Sequence, residues 1–574
     1  MEMFWEILRI VGAVVFAIFF LGMCVFVHEL GHFLVAKWRG LHIIAFSLGF
    51  KKAWGKKING VDYRIGWIPA GGYVDLPQID TTDVAKDEDG NELPPAKPLD
   101  RLLTAAAGPV FNILFGLLLG CVVWYFGMPA ETPRYESMVV ESLIVDSPEY
   151  RAGLRPGDEI VKFNGENFNY TWNDLKKEIM LAIGEVTLTV NRNGETLEIT
   201  YQPTPNPYVA PELRRENIAI PFFEPKVPLA VRPMEDSPAE RAGIINGDEL
   251  VSVNGIELKD FSQLAFFVAE HGANELTLAV KRGKEIKTFT LVPEKLALNP
   301  AAPDGEWNSG FLIYDNPEDK SVKVGFVVAG SPADKAGITE GDTIIDIDGQ
   351  PVSGAVGLFE KIAGAGGVEH QLKIKRGGET FDVTVTPVKL GVYGVGVQLG
   401  MLEYPSPFRQ FAYVWEMSFR SLRNISISLA NKLNLTEQQS TVSARNLSGP
   451  LGIVSMMYKT AHYSLITGIY FVVFVSFALA IFNLLPLPVL DGGHIFFAAI
   501  ELIFRHPVPK WLVKNLSLIF IVLLFSAMAL LTMLDVMRLV PPEEVELKEP
   551  VIVSIDNPEP PADAAEGSET EAQK

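Results

Sequence analysis

Cysteine is nearly absent from this chain. Cys24 and Cys121 are the only two in 574 residues, and each sits inside an apolar block, so a disulfide-stapled fold is not indicated. Positive charge is also short. Against 69 acidic residues stand 49 Lys and Arg, a formal charge of -20; a nucleic-acid partner would call for a basic face, and that class is set aside. Proline (39) and glycine (49) stay at ordinary levels, which excludes a collagen-like or wholly disordered chain. The most telling scarcity is local. From Ile10 to Ala36, the Cys24 thiol aside, the only ionisable side chains are His28, Glu29 and His32.

What is abundant is apolar sequence, 48% of the chain at a mean hydropathy of +0.20. It collects in four blocks, Ile7 to Ala36, Leu102 to Phe126, Ser464 to Pro486 and Leu516 to Leu534. Each supplies the roughly 20 residues that a helix needs to cross about 30 Å of hydrocarbon. The first block is too long for a signal peptide and lacks a small-residue cleavage site before His28, so it is read as retained. Lys37, Arg39, Lys51, Lys52, Lys56, Lys57 and Arg64 follow it, and Arg101 precedes the second block. By the positive-inside rule that loop is cytoplasmic. Residues 127–462 then lie outside, the loop with Arg505, Lys510 and Lys514 lies inside, and both termini lie outside. The acidic stretch after Pro541 is expected to be disordered.

Between the second and third blocks one pattern recurs three times: "DSPEYRAGLRPGDEIVKFNG" from Asp146, "DSPAERAGIINGDELVSVNG" from Asp236 and "GSPADKAGITEGDTIIDIDG" from Gly330. In each copy Ser-Pro opens a short helix and Ala-Gly closes it. Gly-Asp then leads into an alternating strand, and Asn-Gly or Asp-Gly makes a hairpin turn. This resembles the PDZ fold in its bacterial-protease variant. Such domains hold peptide C-termini or extended segments as an added strand, and "KVGFVVAG" (Lys323 to Gly330) looks most like a carboxylate-binding loop. Residues 407–432, with aromatics, three arginines and a lysine, suit an amphipathic helix on the lipid surface.

"VFVHELGHFLVAK", Val25 to Lys37, carries the chemistry. On a helix His28 and His32 are four residues apart and share a face, so both imidazoles can reach one metal. Glu29 is poorly placed as a ligand but can contact water beside it. Charged groups near the middle of a membrane helix cost at least about 2.5 kcal/mol each, and a metal would offset that. Two imidazoles and a carboxylate with an open position suit zinc; Glu29 would act as general base. The third ligand should come from "FNLLPLPVLDGGH", Phe482 to His494, which follows the third block and reaches the same depth as the histidines. Asp491 is the expected donor and His494 the competing one. Pro486 and Pro488 must break that helix.

These elements together resemble the site-2 protease family of intramembrane zinc metalloproteases: HELGH in the first block, "AAAGPVFN" opening the second, "NLLPLPVLDGGH" at the third. Outward PDZ domains and "NLSGPLGI" (Asn446 to Ile453) are similar to its bacterial group of sigma-E regulators. The resemblance implies zinc on His28, His32 and Asp491, Glu29 as catalytic residue, and a G-x-x-x-N pattern at Gly108 and Asn112. It further implies substrate-binding roles for Asn112, Asn483, Pro486, Pro488 and, on a hairpin within Ala45 to Leu76, Gly71 and Gly72. The implied protein is a polytopic α-helical membrane protein of about four transmembrane helices with an exterior array of α+β PDZ-like domains. It would sit in a bacterial inner membrane with its active site near the cytoplasmic side.

The expected division is a first transmembrane helix (1–36), a cytoplasmic loop with a membrane-associated β-hairpin (37–101) and a second helix (102–126). Three PDZ-like domains (135–222, 223–316, 317–404) follow, then an amphipathic helix and linker (405–463), a third helix with the LDG motif (464–495), a fourth (512–540) and an acidic tail (541–574). The implied activity is cleavage of single-span transmembrane proteins, anti-sigma factors or signal-peptide-like segments, already trimmed by another protease, with the PDZ domains gating access and membrane lipid as a further partner. A catalytically silent PDZ scaffold is the alternative. The third repeat, the insert Asp80 to Pro98 and the acidic tail depart from the family pattern.

Overall fold

The computed structural model describes residues 2–79, 84–296, 306–315, 321–352, 354–364, 367–438, 440, 442, 446–540 and 550–560. The chain forms two compact units: residues 1–128 with 135–226 and 403–574, and residues 129–134 with 227–402.

In the first unit the chain runs α1 (Glu2–Arg39), a hairpin β1 (Ala45–Ile58) and β2 (Val61–Asp75), then α2 (Pro98–Phe126). After the first repeat come α3 (Pro407–Lys432), α4 (Pro450–Tyr463), α5 (Leu465–Asn483), α6 (Asp491–Phe504) and α7 (Lys510–Leu539). Among the described residues four helices are long and apolar enough to cross a membrane: α1 from Ile10, α2, α5 and α7. Close packing depends on missing side chains. A Cβ on Gly31 of α1 would come within 2.5 Å of the Ala107 carbonyl of α2, and one on Gly116 within 2.4 Å of the Phe477 ring of α5. Phe477 is fully buried with Val123, Val414, Val473 and Ile481, so α2 is clasped between α1 and α5.

The third apolar block is not one helix through residue 495. α5 stops at Asn483, before Pro486 and Pro488, and α6 restarts at Asp491. The intervening turn is tight: a Cβ on Gly492 would lie 2.1 Å from the Leu485 carbonyl, and one on Gly493 2.3 Å from that of Leu487. β1 and β2 meet at Asn59 and Gly60, both at positive φ, as Asn-Gly predicts. Residues 45–48 pair with residues 72–75, which form the border run of this small sheet beside α1. Phe46 packs with Phe33 and Ala36 of α1 to hold it there. Of the insert, residues 80–83 lie outside the described residues; Lys86 and Glu92 form a bridge around an Asp87 turn. α3 buries Gln410, Val414 and Asn424, while Phe408 stays exposed. Its Arg420 forms a two-pronged ion pair with Glu178 of the first repeat, at 2.7 and 2.8 Å.

The three repeats share one internal wiring. Ser147, Ser237 and Ser331 cap their short helices through the amide three residues on. Asp158, Asp248 and Asp342 are buried and receive Arg192, Arg282 and Arg376, at 2.6 or 2.7 Å. The turns at Asn164, Asn254 and Asp348 have positive φ, each followed by a glycine.

Two expectations are corrected. The second and third repeats are not consecutive. The third forms its own sheet, in the order Phe311–Asp315, Val322–Val327, Thr343–Ile347, His370–Arg376, Glu379–Val385. Only after it does the chain supply Val397–Leu399, which pairs with Leu229–Pro233 and completes the second repeat. The third domain is thus inserted into the second, because the last strand of that fold is delivered late. Most of "KVGFVVAG" is likewise not a loop: Lys323–Val327 belongs to the strand Val322–Val327, which has neighbours on both sides, and only residues 328–330 turn.

The tail also differs from expectation. Residues 541–549 and 561–574 lie outside the described residues. Ile552–Ser554, however, forms a strand on Met138–Ile144 of the first repeat, and Val553 enters its core. The apolar, β-branched run "VIVSI" overrides the acidic composition around it.

Candidate metal centre

His28 and His32 project from one face of α1, one turn apart, and both are buried. The turn after α5 brings Asp491 to them. His28 Nε2 lies 3.0 Å from Asp491 Oδ2, His32 Nε2 lies 3.4 Å from Asp491 Oδ1, and the two Nε2 atoms are 3.2 Å apart. Among the described residues these three form a group able to hold a metal ion. His494 lines the same cavity but stands outside the converging set.

The spacing fits one small tetrahedral ion. Bonds of about 2.0–2.1 Å to nitrogen or oxygen, arranged tetrahedrally, put neighbouring donors about 3.3 Å apart. Asp491 Oδ2 is buried with no hydrogen-bond partner, as a ligand oxygen is before its ion is counted. Glycine leaves the room: a Cβ on Gly108 of α2 would lie 2.4 Å from His32 Nε2 and 2.7 Å from His28 Cε1. Asp491 also occupies the first turn of α6, where the helix dipole favours a carboxylate.

The surrounding groups fix the rings. His32 Nδ1 donates to the Thr104 carbonyl at 2.7 Å, which leaves the Nε2 lone pair free for a metal. The Asn112 carboxamide lies against His28 Nδ1, with Nδ2 at 3.2 Å. Asn112 is wholly buried and its Oδ1 has no partner. Half a turn of the carboxamide lets Oδ1 accept from Nδ1–H, which pairs those two atoms. Asn112 Oδ1 and Thr104 O thus orient the two imidazoles from α2. Asn112 itself is shielded behind His28.

Glu29 faces the same cavity of about 660 Å³, which is lined by His28, His32, Tyr73, Val74, Pro488, Asp491, Lys514 and Ser517 among others. Gly72 passes close by: a Cβ there would lie 3.3 Å from Glu29 Cγ. Gly71, at φ +136°, sits under the Phe50 ring. Asn483 Nδ2 reaches to 3.4 Å from His28 Nε2. Pro488 lines the cavity, and Pro486 belongs to the turn that delivers Asp491. Lys514 and Ser517 of α7 and the Thr104 carbonyl were not singled out from the sequence. A backbone carbonyl carries no sequence signal, Lys514 reads as one of the basic residues of the inside loop, and Ser517 as the ordinary start of a helix.

Comparison with known proteins gives a consistent picture. Residues 16–527 match the model of peptidase family M50. A putative zinc metalloprotease of Vibrio cholerae is 26% identical, covering 90% of this chain and 97% of that protein. The regulator of sigma-E protease RseP of Salmonella typhimurium is 27% identical over 85% of this chain and 90% of its own length. Its namesake from Escherichia coli is 24% identical over the same shares.

Proposed function

The chain belongs to peptidase family M50 and is a zinc metalloprotease of the site-2 type; from that premise we propose that His28, His32 and Asp491 hold the zinc and that Glu29 is the general base for peptide hydrolysis inside the membrane. The convergence of the two Nε2 atoms and the two oxygens of the Asp491 carboxylate, in contacts of 3.0–3.4 Å, carries this reading. A scaffold that only gathers partners would not need it.

Zinc held by these residues would supply Lewis acidity, enough to bring the pKa of water to about 7 and to polarise a carbonyl. Glu29 takes the proton from the attacking water and delivers it to the leaving nitrogen. Asn112 and Thr104 keep the imidazoles aimed. Asn483 is placed to donate to the substrate carbonyl. The run 72–75, bordering its sheet next to Glu29, holds an unwound substrate segment as an added strand. A transmembrane helix hides its own amides, so that unwinding is a requirement of the chemistry. Trp54 and Trp67, both exposed on the hairpin, suit a hairpin dipping into lipid.

The substrates are single-span membrane proteins that another protease has already trimmed. The repeats lie on the exterior side and bar intact ones, while the metal lies toward the cytoplasmic face of a bacterial inner membrane.

The deciding experiment follows cleavage of a single-span substrate by the reconstituted Glu29→Gln chain, with its zinc content measured. Zinc should stay bound while cleavage falls by a factor on the order of 10² to 10⁴. Cleavage at the native rate would remove Glu29 from the chemistry. Deleting residues 227–402 and finding that untrimmed substrates are still refused would sink the gating role.

A further inference from the structure

The first repeat carries one strand more than its sisters. Among the described residues its sheet has seven strands, against six in the second and six in the third. The counterparts of Phe223–Pro225 are Val397–Leu399 and Phe311–Asp315, each pairing with the matching strand of its own repeat. The surplus strand is Ile552–Ser554. The other two repeats close without such an addition among the described residues, so the fold does not require it.

The extra strand is bound as a peptide would be. Ile552, Val553 and Ser554 stand opposite Ile144, Leu143 and Ser142 in antiparallel register. The Val145 amide donates to Val551 O at 2.8 Å, and the Ile555 amide to Glu141 O at 2.9 Å. Val553 alone is sunk in the core; Ile552 and Ile555 remain 52% and 43% exposed. A turn closed by the Ser554 and Asn557 backbones ends the segment. One anchoring side chain and a few main-chain bonds give shallow docking, and attachment to α7 through residues 540–550 raises the local concentration.

The usual alternative, capture of a free carboxylate, is obstructed in this repeat. Glu149 stands where the second and third repeats have Ala239 and Ala333. It is buried, and its Oε1 receives the Phe222 amide at 3.4 Å. Phe222 in turn occupies the place of Gly396 and Gly310, since all three carbonyls take the matching amide of Ile144, Met234 and Val328. A terminal carboxylate entering there would meet a second acid.

We propose that the edge of Met138–Ile144 is a binding site for internal extended peptide, that residues 551–555 are its resident ligand in cis, and that an extended segment from the exterior flank of a membrane substrate binds by displacing them. The segment presents a β-branched apolar side chain at the place of Val553 and needs no free C-terminus. The substrate half rests on the peptidase reading; the peptide site does not.

The probe is a fluorescent peptide of residues 550–558, titrated by anisotropy in detergent against the native chain, the Val553→Asp chain and a chain ending at Glu549. Both variants should bind it saturably and at least about tenfold more tightly than the native chain, whose site is filled. A probe bearing Val553→Asp should not bind. Equal binding to native and variant chains, or none to either variant, would overturn the site. Failure of both variants to fold would do so too, since the strand would then be a fixed part of the domain. In competition, the exterior-flank peptide of a cleaved substrate should displace the probe; if only the tail sequence does so, the substrate half falls. Binding is read without cleavage, so this outcome is separable from the fate of Glu29→Gln.

Discussion

Asn112 and His28 are packed carboxamide to imidazole, 3.2 Å apart, with the asparagine sealed from solvent. This contact sets which nitrogen of His28 faces Asp491. Replacing Asn112 by Leu keeps the branched outline and removes the acceptor. Zinc affinity, measured by competition with a chromogenic chelator, should fall about 10- to 100-fold, and Asn112→Asp should retain more of it. An unchanged affinity in Asn112→Leu would show that the ring is held by other groups.

Gly108 leaves the space that the edges of the His28 and His32 rings occupy. In Gly108→Ala the new methyl carbon would lie 2.4 Å from His32 Nε2, so one imidazole must turn away. The expected protein retains its helices by circular dichroism but holds less than one zinc per chain. Full zinc occupancy would mean that α1 and α2 can part at little cost.

Asp535 is a buried carboxylate with a defined task. It accepts the Gly449 and Gly452 amides at 3.1 and 2.8 Å, at the start of α4, and pairs with Arg538. Arg538 in turn reaches Glu216 of the first repeat at 2.8 Å. "NLSGPLGI" therefore reads as a socket for α7, with glycines where any Cβ would strike Asp535. Asp535→Ala leaves amides unpaired and should cost on the order of 2–4 kcal/mol, seen as a lower thermal midpoint. A midpoint within a degree of native would refute the socket.

The first repeat should also show a pH-dependent stability. Burial lifts Glu149 from an ordinary 4.5 to about 7. Its folded value is the higher one, so the folded state favours the protonated acid. Stability is full below about pH 4.5, declines as pH rises to about 7, and is level beyond. A shift of that size corresponds to about 3 kcal/mol. Glu149→Gln should therefore stabilise the domain at pH 8 and change little at pH 4.5. Equal effects at both pH values would mean that Glu149 finds a charge partner when ionised.

Much of the site was legible in the sequence because its signals are local. HELGH is a helical i, i+4 pair, and LDGG next to two prolines announces a sharp turn. The repeat was legible for the same reason, since Ser-Pro, Gly-Asp and Asn-Gly act within a few residues of themselves. What escaped is non-local. That Val397–Leu399 closes a sheet begun at Leu229, or that Val553 belongs to the core of a domain 400 residues earlier, depends on pairing between distant strands. Alternating apolar patterns mark such strands without naming their partners. The tail escapes a compositional reading because its acidic average hides the five residues "VIVSI" that carry the strand Ile552–Ser554.

The insertion of one repeat inside another has a consequence for biosynthesis. As the chain leaves the ribosome, the inner domain has all its strands once Val385 has emerged, while the outer one still waits for Val397. The inner body must close first, and it does so with the half-made outer sheet exposed beside it. A premature stop between these two points spares the inner fold and strands the outer one, so errors late in translation destroy the domain that was begun first.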